Sequence, residues 1–274
     1  MDRRLLVLLA ALYFAQGLPF GLITRALPAI AREAGLPLQY IGLLSLAALP
    51  WALKFLWAPW IDRWGSAAAN HRKRWIIGCQ LAAVVVLGGM SLLPMASMTV
   101  SVFVQLLSLL LLLNLCVASH DVASDGLAVR MLSVSLRGVG NSLQAAGYKV
   151  GLMVGGSLLL WLVALLGWRS TLWLTMLLLL LLLWPVLRYP EPATPPVVRP
   201  ALTWRWWLAE LARFWRRPGL GWWLVLLLFY KVGDSFGSRM IKPFLVDQGW
   251  SLGEIAALDL SASFAGLLAV LLAG

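Results

Sequence analysis

Apolar stretches recur along the chain, separated by short polar or glycine-containing breaks. Each is about twenty residues or longer, enough to cross a hydrocarbon core of about 30 Å. Taken in order, they predict eight membrane helices. The first runs from Leu5 to Ala31, the second from Tyr40 to Ile61 and the third from Trp75 to Leu93. The fourth starts at Thr99 and keeps a helical pattern to Met131, and the fifth runs from Arg137 to Leu166. The sixth, Thr171 to Leu187, is almost pure leucine. A Pro-rich segment, Tyr189-Pro190 through Pro200, then interrupts the pattern. Beyond it, Trp204, Trp207, Leu208, Leu211 and Trp215 form one stripe, with Arg205, Arg213 and Arg216 away from it. That is the pattern of an amphipathic helix lying on a membrane surface. A seventh span from Leu220 to Phe244 and an eighth from Ser251 to Gly274 follow.

Polar residues inside these spans are the candidates for chemistry, because an apolar helix needs none of them to insert. Lys231 and Asp234 lie three residues apart near the middle of the seventh span, beside Tyr230. A charge at that depth costs about 2.5–3.5 kcal/mol, and at this spacing the two can meet and offset part of it. Asp121 and Asp125 are four residues apart and share one face of the fourth helix, next to Asn114 and His120. Counted back from Arg130 at about 1.5 Å per residue, Asp121 lies about 13 Å and Asp125 about 7 Å inside. The first position suits substrate or proton contact. The second suits a gate, with Arg63, Arg137 or the Arg72–Arg74 cluster as partner. Gln16 shares a stripe with Tyr13, Phe20 and Thr24 on the first helix, and Tyr148 and Lys149 sit on the fifth. Lys54 is close enough to the end of the second helix to snorkel to the interface. Gly147, Gly151 and Gly155, at four-residue spacing, make a face on which another helix backbone can approach closely.

Composition agrees with a membrane class. Of 274 residues, 61% are hydrophobic and mean hydropathy is +0.86, far above a soluble domain. Sixteen Trp fit interfacial belts. A net charge of +11 raises the question of nucleic acid. The basic residues follow topology instead: one set of alternate loops holds Arg3, Arg4, Arg72–Arg74 and the Arg205–Arg217 run, while the other holds only Arg32 and Arg169. By the positive-inside rule the N-terminus and the central loop are cytoplasmic, and no nucleic-acid partner is needed. Arg3 and Arg4 resemble the start of a signal peptide, but the apolar run continues without a cleavage-type site, so the first helix is read as retained. Cys79 and Cys116 lie in apolar spans with no disulfide or metal-ligand spacing, and no metal or cofactor is implied.

A short internal repeat relates the first and seventh spans. Gly17, Phe20 and Gly21 match Gly233, Phe236 and Gly237 at constant offset, and Gly35, Leu38 and Ile41 match Gly249, Leu252 and Ile255 after a two-residue slip. Both copies enter from the same side, the relation between the halves of major facilitator transporters. The fold expected is therefore an all-α polytopic membrane protein: a first six-helix half (1–189), a cytoplasmic linker with an interfacial helix (190–218), and the first two helices of an incomplete second half (219–274).

Several strings resemble the AmpG-like muropeptide permeases of the major facilitator superfamily. They are Leu53-Lys54-Phe55-Leu56-Trp57-Ala58-Pro59 followed by Asp62-Arg63, then Ala118-Ser119-His120-Asp121 with Asp125, Arg137-Gly138, Gly147-Tyr148-Lys149, and Tyr230-Lys231-Val232-Gly233-Asp234. Arg130 departs from the acidic residue expected there, and Ser66 to Asn70 is an insert. The resemblance implies a bacterial inner-membrane transporter, not an enzyme, importing anhydromuropeptides and driven by protons. A carrier of another organic anion such as acetyl-CoA is the same-class alternative; a membrane enzyme or a scaffold fits less well. Gln16, Asp121, Tyr148, Lys149, Tyr230, Lys231 and Asp234 are then the substrate and proton pathway, and Asp62, Arg63, Asp125 and Arg137 the cytoplasmic gate.

Overall fold

The computed structural model describes residues 3–64, 70–95, 97–191, 203–230, 245, 248–250 and 252–273. Apolar sequence in a lipid setting leaves each backbone polar group to be satisfied within its own segment, and helices achieve that. The described residues accordingly contain helices and connecting turns, without a strand. The chain is an all-α, multi-pass membrane protein.

Helix α1 (Arg3–Glu33), α2 (Gln39–Leu56), α3 (His71–Ser91) and α4 (Val100–Met131) are each long and apolar enough to cross a bilayer. A fifth helical run, Val134–Arg188, is 55 residues long, nearly twice what a crossing requires. It breaks at Gly167, whose φ of 77° and ψ of 168° lie outside any helix. Only glycine occupies that region without strain. The break separates α5 (residues 137–166) from α6 (residues 168–188) and falls at the first residue of the turn expected from sequence.

Contacts set the directions of the six helices. Tyr13 meets Asp125 and Gln16 meets His120, so α1 and α4 are antiparallel. Asn114 and Asp121 of α4 meet Ala47 and Lys54 of α2, which makes these two parallel. Trp168, Leu179 and Leu187 lie beside Met90, Gln80 and Lys73, so α6 runs against α3. Gly17 and Gly21 lie against Gly151 and Gly155, so α1 and α5 run together. Six helices thus alternate in direction.

Helix α1 is the centre of this bundle because it is apolar around its whole circumference and so buries on all sides. Its contact with α5 is made backbone to backbone through the predicted glycine face. A Cβ on Gly151 would come within 2.9 Å of Gly17 Cα, and one on Gly21 within 2.9 Å of Gly156 N. Both helices carry a π-turn at this level, Leu22–Ala26 in α1 and Val154–Leu158 in α5.

The buried apolar residues form two clusters. One gathers Leu5, Leu8, Leu12, Ile61, Ile76, Leu127 and Val186 toward the end bearing the N-terminus. The other gathers Leu22, Leu27, Leu87, Phe103, Leu110 and Leu172 toward the far end. Gln16 in α1, Gln80 in α3, and His120 and Asp121 in α4 stand where the two clusters meet, so a polar belt crosses the bundle near mid-depth.

The chain divides into two compact units, residues 1–196 with 263–274 and residues 197–262. The second contains α7 (Trp204–Trp215), capped by the Thr203 side chain accepting from Trp206 N, and α8 (Leu220–Tyr230). Trp204, Leu208 and Trp215 of the expected apolar stripe are exposed. A last helix, α9 (Leu252–Ala273), begins in this unit and ends in the first. Lys231 and Asp234 lie outside the described residues.

Substituting Gly151 by Leu places a side chain between two backbones that cannot yield. A loss of about 3 kcal/mol, the upper end for overpacking, is expected as a lowered unfolding temperature in detergent. Gly78→Ala, inside α3 with nothing within 4 Å of the added carbon, is expected to hold that temperature or raise it, since alanine favours a helix over glycine by about 1 kcal/mol.

Candidate functional site

Asp121 projects from α4 into the polar belt and is nearly buried, and its carboxylate pairs with Lys54 Nζ from α2. Lys54 was expected to reach the interface. It turns inward instead because a buried carboxylate without water must find its counter-charge inside the protein. The ammonium also lies 4.7 Å from the centroid of the Trp51 ring, one turn away on the same helix.

One turn along α4, Asp125 Oδ1 accepts from the Tyr13 hydroxyl and from Gln144 Nε2, each at 3.2 Å. Three helices therefore converge on this carboxylate, and the partners that hold it here are neutral donors. On the other side of α4, His120 is tied to two helices. Gln80 Nε2 donates to the Leu179 carbonyl at 2.7 Å, which leaves Gln80 Oε1 as the acceptor facing His120 Nε2 at 3.2 Å. The network closes with the proton on His120 Nε2, while Nδ1 accepts from Gln16 Nε2 at 3.4 Å and Ser124 Oγ at 3.3 Å. Gln16, placed by sequence in the pathway, is buried here as a ligand of His120.

Phe20 of α1, Trp51 of α2 and Tyr148 of α5 form an aromatic group beside the charges. Ring centroids are 5.6 Å (Phe20–Trp51), 6.0 Å (Phe20–Tyr148) and 6.4 Å (Trp51–Tyr148) apart. Lys149, the neighbour of Tyr148, donates to the Gly266 carbonyl of α9 at 2.7 Å, while Asp121 is held by Lys54. Tyr230 ends α8 in the second unit with its side chain exposed.

The remaining expected residues stand at the end bearing the N-terminus. Asp62, in the short helix Ala58–Arg63, pairs with Arg72 at 2.9 Å. The Arg72 guanidinium lies flat across Gly126 of α4, where any side chain would overlap it. Arg63 closes the same short helix, and Arg137 is exposed at the start of α5. Glu191, from the Pro-rich segment, joins the same end. Its side chain is 3% exposed and accepts from the backbone N–H groups of Lys73 at 3.1 Å and Arg72 at 3.4 Å, and from Arg130 Nη1 at 3.4 Å. A carboxylate on the first turn of a helix meets the positive end of its dipole. Lys73 Nζ returns the contact by donating to Leu187 O and Tyr189 O at the end of α6. Helices α3 and α6 thus cap each other, and Arg130 finds its opposite charge in Glu191.

Two outcomes are expected from unfolding measurements in detergent. Lys54→Met is expected to lower stability by about 3 kcal/mol, the low end for a broken buried pair because the lysine is partly exposed. Adding Asp121→Leu to it is expected to recover most of that loss. Glu191→Gln is expected to cost about 1.5–3 kcal/mol, with only the part owed to Arg130 absent when Arg130 is already neutral.

The profile of the family described as acetyl-coenzyme A transporter 1 matches residues 5–164. Over 96% of its length the chain is 31% identical to the anhydromuropeptide permease of Escherichia coli (strain K12), of which it covers 52%. It is 25% identical to putative transporter AmpG 4 of Rickettsia conorii, over 94% of the chain and 63% of that protein. An uncharacterized protein of Haemophilus influenzae is 28% identical over 89% of the chain and 57% of its own length. The chain spans about half the length of the curated relatives it matches, and those that carry a functional name are permeases and transporters rather than enzymes.

Proposed function

The chain belongs to the acetyl-coenzyme A transporter 1 family, and from that premise we propose that it is a secondary transporter importing anhydromuropeptides across a bacterial inner membrane, driven by protons. The observation that carries the reading is the Lys54–Asp121 pair with Asp125 one turn away, held among apolar helices where a charge is costly. Likeness to the anhydromuropeptide permease supports the cargo.

In this reading residues 1–189 are the first half of a major facilitator fold, 190–218 a cytoplasmic linker carrying α7, and 219–274 the start of the second half. The N-terminus faces the cytoplasm, as the distribution of basic residues argues. An acidic cargo that engages Lys54 withdraws the counter-charge of Asp121, and a proton then neutralises the carboxylate. That exchange couples cargo to proton through one buried pair. Gln16, Tyr148, Lys149 and Tyr230 line the pathway, and Lys231 and Asp234 take the matching mid-depth role on the seventh span. Asp62, Arg63, Asp125 and Arg137 form the cytoplasmic gate. It closes in one state and parts in the other, biasing alternation between them.

Carriage of another organic anion, acetyl-CoA, is the second reading, favoured by the description of the matching family.

Vesicles bearing the chain separate the two. Labelled anhydromuropeptide is expected to enter at least tenfold faster under an inward proton gradient, and Asp121→Asn is expected to abolish the gradient's effect. Equal uptake with and without the gradient sinks proton coupling. Uptake of acetyl-CoA in place of muropeptide selects the second reading. For the gate, reversing the charges of Asp125 and one of Arg63 or Arg137 together is expected to restore uptake lost in the single reversals.

A further inference from the structure

We propose that Phe20, Trp51 and Tyr148 form an aromatic subsite that stacks against a pyranose ring of the cargo, a proposal that rests on the muropeptide-transport reading above. The three rings come from three different helices and are all partly exposed. Their planes are inclined by 41° to 51° to one another, so no two rings are stacked face to face.

Their placement is layered. On α5, Tyr148 lies one turn from Gln144, the donor to Asp125. On α2, Trp51 lies one turn from Lys54, the partner of Asp121. On α1, Phe20 lies one turn from Gln16 and two from Tyr13. An aromatic layer therefore sits directly upon a layer of donors and acceptors on all three helices. A pyranose has the same two-part character: axial C–H groups that favour the negative face of an aromatic ring, and a rim of hydroxyls that need hydrogen bonds.

The test is equilibrium binding to the whole chain in nanodiscs, using a radiolabelled disaccharide anhydromuropeptide and the same peptide without sugar. Trp51→Leu is expected to weaken the disaccharide probe about tenfold, the upper end for an aromatic contact, and to leave the sugar-free peptide unchanged. Trp51→Phe is expected to stay within about threefold of wild type, since it keeps a π face. Unchanged binding by the Leu variant overturns the subsite. So does an equal loss in both variants accompanied by a lowered unfolding temperature, which marks a packing role. If wild type binds the sugar-free peptide as tightly as the full probe, the subsite fails while the transport reading stands. If it binds acetyl-CoA and neither probe, the cargo reading fails and the subsite with it.

Discussion

A charge held among lipid-embedded helices has no water to fall back on, and the arrangement around α4 follows from that constraint. Asp121 draws Lys54 across from α2, Asp125 draws a hydroxyl from α1 and an amide from α5, and His120 is held by side chains of α1 and α3. The polar belt therefore ties five helices to one another at mid-depth. Apolar clusters above and below then need only fill space. A bundle of leucine-rich helices alone could pack in many rotations, whereas a belt of directed bonds selects one.

A second set of constraints operates at the end bearing the N-terminus. There Glu191 and Lys73 join the termini of α3 and α6, and Arg72 bridges Asp62 to the glycine face of α4. These groups lie close to where water begins, so their contacts are strong enough to position helix ends and weak enough to be exchanged for solvent. The mid-depth belt has no such alternative.

Much of the fold was legible in sequence because apolar length and glycine spacing are local properties. The first six spans, the break near Gly167 and the close face of Gly147, Gly151 and Gly155 needed no knowledge of neighbours. The pairing of Asp121 and Asp125 on one face was legible for the same reason. What could not be read was which neighbour each polar group meets. Lys54 has the reach to go either way, and its direction is decided by a carboxylate 67 positions further on. Glu191 looked like part of a proline-rich linker, and only the return of α6 to the start of α3 gives it a role. Gln80 carried no signal at all, since its importance lies in two bonds to other helices.

The two π-turns have a consequence for how such a chain can change over generations. Each is in effect a one-residue enlargement of a helix, and one residue corresponds to a rotation of about 100° for everything beyond it. Leu22–Ala26 and Val154–Leu158 stand side by side across a glycine contact that tolerates no side chain. The wider turn absorbs that rotation where it stands, so Leu27 and Ile30, or Leu159, keep their faces beyond it. A one-residue deletion within either turn would therefore restore an ordinary α-helix and leave the core beyond it in place.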